Sequence, residues 1–496
     1  MACSKSFVPL RRFEPSAVGL RISFGFRVSG FGFPNSSMPA PLASSHNSGL
    51  HRFAVLTAIA TFGLVGIGGL VTSHGAGMAV PDWPNSYGYN MFFFPVSQWV
   101  GGIFYEHTHR LAASGVGLLT VVLALWLYGR SARPFMRGVG AVLMLLGVGT
   151  AAAMTRRWAD GLVLGLTGLA FLGASLVWPR CEPSPKWLRR LGLAAFVAVV
   201  LQGVLGGLRV VLFKDAIGVF HAMLAQLFFV LLCAIALFTS RWWQIQPARI
   251  PSTASNQLST LFFLTTLLIL GQLTLGAAMR HQHAGLAIPD FPLAYGKLWP
   301  AMDADSIAHY NQQRIEVVAA NPISAYQIGL QMVHRMLAMA ILGAVAYAAW
   351  STRRARGNRH AAVQAGGQAF RLAGGRSDLE IDNAGGTPGG AGETPAPLPE
   401  QGQKYLSRLA LAWLGVILTQ VALGAATIWS NKAADIATAH VLVGALSLAF
   451  GAILCIVSGK ELMLDYRVTD LSTAKGARHL TILKPLASGV SGLPQS

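Results

Sequence analysis

The chain has 496 residues, of which 53% are hydrophobic and only 11% charged, against roughly a quarter charged in a soluble domain. With a mean hydropathy of +0.50, this excludes a soluble enzyme, a disordered protein and a secreted disulfide scaffold, and leaves a polytopic membrane protein. The net charge of +19 does not signal nucleic acid, because Lys and Arg cluster in short loops between apolar runs. Cys3, Cys181, Cys233 and Cys455 form no CxxC pair, so neither zinc nor a disulfide framework is expected.

Residues 1–50 are rich in Ser, Gly, Phe and Arg, with Glu14 the one acid. They read as an N-terminal extension, either a transit-like segment or a start placed upstream of Met38. Apolar runs of about 20 residues, the length of a membrane crossing, follow at 53–73, 106–128, 137–155, 159–178, 191–212, 217–239, 258–279, 324–350, 406–429 and 436–458. Two long stretches rich in aromatics and proline, 74–105 and 280–322, interrupt them. A Gly/Ala/Pro-rich tract at 360–402 reads as a disordered loop, and 461–496 as a cytoplasmic tail. Arg130, Arg133 and Arg137, then Arg180, Lys186, Arg189 and Arg190, then Arg353, Arg354, Arg356 and Arg359 mark the cytoplasmic side. The stretch 74–105, without Lys or Arg, faces outward; Arg156 and Arg157 would break the rule locally.

The chain repeats itself. His74-Gly75-Ala76-Gly77-Met78-Ala79-Val80-Pro81-Asp82-Trp83-Pro84 returns as Gln282-His283-Ala284-Gly285-Leu286-Ala287-Ile288-Pro289-Asp290-Phe291-Pro292, and Tyr87-Gly88 as Tyr295-Gly296. Gln202 with Leu205-Gly206 matches Gln420 with Leu423-Gly424. An even number of crossings separates equivalent helices, so the halves share one orientation about an axis along the membrane normal. The fold expected is therefore all-α: two tandem four-helix bundles, at 51–240 and 255–460, with an inserted hairpin at 137–178 that has no counterpart.

Four histidines fall in apolar helices, and the repeat pairs His109 with His334 and His221 with His440. Two imidazoles on facing helices of a bundle suit a six-coordinate haem iron. The alternative is a histidine hydrogen-bonded to a neighbouring helix. Four at repeat-equivalent places near the outer helix ends favour ligands, since polar groups in lipid are costly and usually functional. Glu106 shares a helical face with His109, and a carboxylate beside a haem edge could act as a base or stabilise positive charge; the plainer reading is a favourable acid near a helix start. Its counterpart Gln331 cannot ionise. If both halves bind haem, this asymmetry points to chemistry in the first half and a resident redox haem in the second. Arg110 and Arg335 could pair with haem propionates or serve as interfacial or helix contacts. His107, two residues from His109 and so on another face of the helix, is not expected as a ligand. His74, His281, His283 and His309 are placed in outer loops, and Trp83, Trp99 and Phe291 read as lids or interfacial anchors.

These residues resemble the haem A synthase family: Gly77 with Pro81 to Pro84 in the outer loop, Glu-x-x-His-Arg at Glu106, His109 and Arg110, the three later histidines, and the duplicated four-helix plan. The resemblance covers about 50–240 and 255–460, apart from 137–178 and the tract near 360–400. It implies oxidation of a ring methyl of haem O, by two hydroxylations and loss of water, to the formyl of haem A for cytochrome oxidase. It implies that His109 and His221 frame the substrate, that Glu106 is the essential carboxylate, and that His334 and His440 hold a haem b. It also implies an inner (plasma) membrane, or alternatively the mitochondrial inner membrane, with haem O synthase, cytochrome oxidase assembly factors and a second copy of the chain as candidate partners. The outer-loop cysteine pair of some members is missing. Two other readings compete: a di-haem b-type cytochrome exchanging electrons with quinone, which has no need of Glu106, and a transporter with a histidine proton relay.

Overall fold

The computed structural model describes residues 47–153, 158–245, 253–313, 322–374 and 399–482. The expected N-terminal extension lies outside the described residues, apart from its last few. Among those described, helices α1 (Ser48–Ser73), α2 (Gly101–Tyr128), α3 (Ala132–Ala153), α4 (Trp158–Val177), α5 (Lys186–Leu212) and α6 (Asp215–Thr239) are followed by the short α7 (Arg241–Ile245). Then come α8 (Thr253–His281), α9 (Ala304–Gln312), α10 (Ala325–Gly374), α11 (Pro399–Trp429) and α12 (Ala434–Ile482). Nine described stretches are long and apolar enough to cross a membrane; one of them, Gly101–Ala153, contains both α2 and α3, so every expected crossing is present. The protein is an all-α, multi-pass membrane protein.

Apolar side chains and internal hydrogen bonding make these helices suit lipid, where a free backbone or hydroxyl group has no water to bond. Buried hydroxyls bond back to their own helix: Thr57 to Phe53 O, Thr61 to Thr57 O and Thr120 to Val116 O, each at 2.8 Å. In the first half α1 packs on α2, α2 on α5, α5 on α6 and α6 on α1. In the second, α8, α10, α11 and α12 close the same ring. The halves meet through α1 on α12, α6 on α8 and α6 on α12. This is the pattern of a twofold that exchanges α1 with α8 and α6 with α12. At the contact between halves Phe229 packs against the small Ala445 and Ala449, which let the backbones approach. Cys233 and Cys455 pack among the apolar side chains of this core and the second-half core.

The inserted hairpin leaves and re-enters the first bundle at one point. Gly129 turns the chain with φ +53°, against Cys181 O and Glu182 O, a conformation and an approach that favour glycine. Arg130 N donates to Cys181 O (3.0 Å) and Ser184 N to Leu127 O (2.9 Å). The α2–α5 contact is thereby kept, as if α3 and α4 were absent. At its other end the hairpin touches the 74–105 loop: Asn90 Nδ2 donates to Asp160 Oδ1 (2.7 Å), and Phe93 packs near Trp158. The start of α4 therefore lies on the same side as that loop, as the crossing count requires.

Two expectations need correction. The loop expected at 360–402 is shorter, because α10 continues to Gly374 and α11 begins at Pro399; the Ala, Arg and Gln around 352–373 are good helix formers, and 375–398 lies outside the described residues. His281, expected in an outer loop, is the last residue of α8.

α3 and α4 interlock through glycines. A Cβ at Gly147 would meet Gly161 O at 2.7 Å, and one at Gly140 would meet Gly168 O at 2.8 Å. Gly147→Leu should part the two helices. Such overpacking costs about 1–3 kcal/mol, so amide exchange in α3 and α4 should rise roughly ten- to a hundredfold while α1, α2, α5 and α6 stay protected. Unchanged exchange in the hairpin would refute this account of its packing.

Candidate functional site

The two long loops fold alike because the same residues hold them. Asp82 accepts from Tyr87 N (2.7 Å) and Gly88 N (2.8 Å); Asp290 accepts from Tyr295 N (2.7 Å) and Gly296 N (2.9 Å). Both turn residues have positive φ, 49° and 78° in the first copy and 53° and 72° in the second, hence the glycine. The tyrosine hydroxyls donate to Ala79 O and Ala287 O at 2.5 Å. The Asp of the Pro-Asp-Trp-Pro pattern is thus the anchor of a tight turn.

Each loop is pinned to the second helix of its half. Glu106, only 4% exposed, accepts from Val80 N with Oε2 (2.8 Å) and from Arg110 Nη2 with Oε1 (2.8 Å). Arg110 also donates to Asp82 O (2.7 Å), Asn85 O (2.9 Å) and Val80 O (2.8 Å). In the second half Gln331 accepts from Ile288 N (2.7 Å) and donates from Nε2 to Gly285 O and Ile288 O, both at 3.3 Å. Arg335 donates to Leu293 O (2.9 Å) and Asp290 O (2.7 Å) and lies over the Phe291 ring. Besides Glu106 and the Phe291 ring, the contacts that the structure gives these arginines are with loop carbonyls. His107 is fully buried between Phe94 and Trp99, its Nδ1 3.2 Å from Ser86 Oγ; it faces the loop. In the second half Ala294 and Met332 take these two places in an apolar cluster.

The four paired histidines lie in the second or third turn of α2, α6, α10 and α12, at the ends nearest the loops. Each imidazole sits edge-on against a glycine of the adjacent helix. A methyl at Gly68 would lie 3.1 Å from His109 Cε1; the distances are 3.2 Å for Gly206 and His221, 3.3 Å for Gly276 and His334, and 3.1 Å for Gly424 and His440. Nδ1 of all four is buried and makes no hydrogen bond with the described residues. His109 and His221 are in electrostatic reach of one another, as are His334 and His440, so the pairs read from the repeat are brought together.

Glutamines one turn before the glycines hold the histidine helices. Gln202 Nε2 donates to His221 O (3.0 Å) and Gln272 Nε2 to His334 O (2.9 Å), while Gln420 Nε2 meets His440 Nε2 at 3.4 Å. The signal was in the sequence: Gln-x-x-Leu-Gly occurs at 202–206, at 420–424 and a third time at 272–276. The fourth place, on α1, reads Leu64 to Gly68, so His109 has the glycine seat without the glutamine.

Trp83 lies on Gly207 of α5, so close that a Cβ there would overlap the indole. Phe291 packs near Trp429 of α11, whose Nε1 donates to its carbonyl (3.3 Å). Each lid aromatic thus ties its loop to the third helix of its bundle. His74 stacks on Tyr105 and His309 Nε2 meets Gln313 Nε2 at 3.0 Å, both away from the paired histidines.

Residues 153–372 match the family model COX15-CtaA, cytochrome oxidase assembly protein. Over that span, less than half of the chain, the sequence is similar to that family. The resemblance is borne out over that span, and the match supports a role in cytochrome oxidase assembly. The matched span includes His221 and His334. No curated protein matches the chain.

The loop clamp can be tested directly. Arg110→Ala removes charge-assisted bonds of about 1.5–3 kcal/mol each, so amide exchange in residues 80–88 should accelerate roughly ten- to a hundredfold. The second-half loop at 288–296 should be untouched, and Arg335→Ala should do the reverse. Equal loosening of both loops would mean that the clamps are not local.

Proposed function

We propose that the protein is a haem A synthase, oxidising a ring methyl of haem O to the formyl of haem A through two successive hydroxylations, with loss of water from the geminal diol. In this reading His109 and His221 would frame the substrate haem, and His334 and His440 would hold a resident haem b. The observation that carries it is the fourfold recurrence of a buried imidazole, seated on glycine, with a ring nitrogen that the described residues leave unbonded. An unmade hydrogen bond of this kind costs about 1–3 kcal/mol. Four repeat-equivalent exceptions fit imidazoles kept for iron, with the apolar bundle accommodating a macrocycle. A bound haem would supply the iron redox chemistry.

The residues of the chain supply position and charge. The glycine seats fix the ring planes, Gln202 and Gln272 hold the helix turns that carry two of the rings, and Gln420 meets the His440 ring itself, as outer-shell partners of metal ligands do. The lidded loops exclude water from the loop-side ends of the bundles. Glu106 is the catalytic carboxylate. Each of its oxygens already accepts one hydrogen bond and retains a lone pair for a proton or a developing positive charge.

Gln331 favours a second reading of Glu106, as a loop anchor only, and with it the di-haem cytochrome. Because Gln331 holds the same loop in the second half, Glu106→Gln should keep the fold and isolate the charge. Expressed in a host that makes haem O but no haem A, the native chain should yield hydroxymethyl and formyl haems on extraction. Glu106→Gln should retain bound haem and lose conversion by at least about a hundredfold. Conversion at the native level would leave Glu106 an anchor. Haem O left untouched by the native chain, with haem B bound, would favour the cytochrome.

The seats make a second test. Gly424→Ala puts a methyl 3.1 Å from His440 Cε1 and should disturb the low-spin spectrum of the second-half haem. Gly415→Ala, on the same helix with open space around it, should leave the spectrum as it is. An undisturbed Gly424→Ala spectrum would remove the seat from the argument. The membrane proposed is the bacterial plasma membrane, next to a haem O synthase.

A further inference from the structure

With Arg110 and Arg335 engaged by loop carbonyls, the acid side chains of a porphyrin need other partners. Arg209, near the end of α5, lies in electrostatic reach of both His109 and His221. Its guanidinium rests against Gly77 of the loop, where a Cβ would be 2.8 Å from Nη1, and against Gly218 of α6, where a Cβ would be 3.1 Å from Nε. His281 crowds the same Gly218. Arg280, beside His281 at the end of α8, reaches across to the first half, donating to Gly69 O (2.6 Å) and to Ser73 Oγ. These acceptors are neutral. Arg280 is in electrostatic reach of Arg209 on one side and of His440 on the other.

Three cationic or titratable side chains from two halves thus gather between the two histidine pairs, on glycines that leave them room. Like charges brought together at the edge of an apolar bundle repel, and an anion between them relieves that cost. The twofold does not explain the cluster. The repeat places Thr427 where Arg209 stands and Thr72 where Arg280 stands, and both threonines bond back to their own helices.

We propose that Arg209 and Arg280, flanked by His281, form a carboxylate seat between the halves for the propionates of the porphyrins at the histidine pairs. The inference rests on the reading that those pairs hold porphyrins. A planar guanidinium takes a carboxylate in a two-point geometry that a lone ammonium does not. The seat faces the side of the long loops, so it would orient a porphyrin with its acid edge toward that side.

The test uses the purified full chain, expressed under haem limitation and titrated with ferric haem B and with its dimethyl ester, which lacks the two carboxylate charges. The native chain should bind the free acid roughly tenfold tighter than the ester, the worth of one or two charge-assisted bonds. Arg280→Gln and Arg209→Gln should each bring that ratio toward one, and Arg→Lys at either place should restore part of it. A variant that weakens both forms equally, keeping the ratio, would show a structural role only and overturn the proposal, as would a native chain that does not distinguish acid from ester. If the native chain binds neither form, the histidine-pair reading falls as well.

Discussion

The backbone hydrogen bond from Val80 to Glu106, and its counterpart from Ile288 to Gln331, fix the long loops to the bundles. A loop laid over buried helix ends must satisfy its own amides, and these loops do so on the turn that also carries a paired histidine. Four residues within one short stretch of α2 divide the work. Residues 106 and 110 hold the loop backbone, residue 107 holds the aromatic lid, and residue 109 turns the other way, onto the glycine of α1. Moving the loop would move the histidine, and this coupling makes the loop part of the site rather than its cover.

The two copies solve the same mechanical problem with different chemistry, and the difference carries information. The second half uses a neutral amide that donates as well as accepts. The first half uses a carboxylate only 4% exposed, with Arg110 to balance it. A buried ion pair is not a better anchor than an amide, because both charges lose their hydration. The loop geometry is nearly the same either way, so anchoring alone gives no reason for the costlier arrangement. The charge is better explained by something the first half does and the second does not. The same contrast appears next door, where Ser86 and His107 are answered by Ala294 and Met332.

The sequence revealed the crossings because lipid demands long apolar runs, and it revealed the histidine pairs because duplication marks them twice. It was silent where the informative residue is one that means little alone. A glycine inside a helix carries no message until a ring is found against it, and so the seats at Gly68, Gly206, Gly276 and Gly424 went unread, although Gln-x-x-Leu-Gly occurs three times. Arg110 and Arg335 could not be assigned from spacing, since loop carbonyls and a propionate ask for the same donor. The helical run to Gly374 was hidden by glycine- and proline-rich sequence further on, which coloured the whole tract as loop. Arg209 and Arg280 were missed for the opposite reason to the histidines: comparing copies filters out whatever occurs in one copy only.

That last omission bears on electron flow. Two irons each held by two histidines on equivalent helices would have nearly equal potentials, and equal potentials give an electron no direction. The difference must come from the surroundings, through charge and exposure rather than ligand type. The halves also differ in charge at their junction, where arginines stand at Arg209 and Arg280 and threonines at the symmetric places. Positive charge near an iron favours its reduced form, and Arg209 lies in reach of both first-half histidines while Arg280 reaches His440. Were the pairs to hold iron, the histidines would preserve the symmetry of the duplicated bundle, and the two off-symmetric arginines, one in reach of both first-half imidazoles and the other in reach of His440, would set the halves apart without altering a ligand.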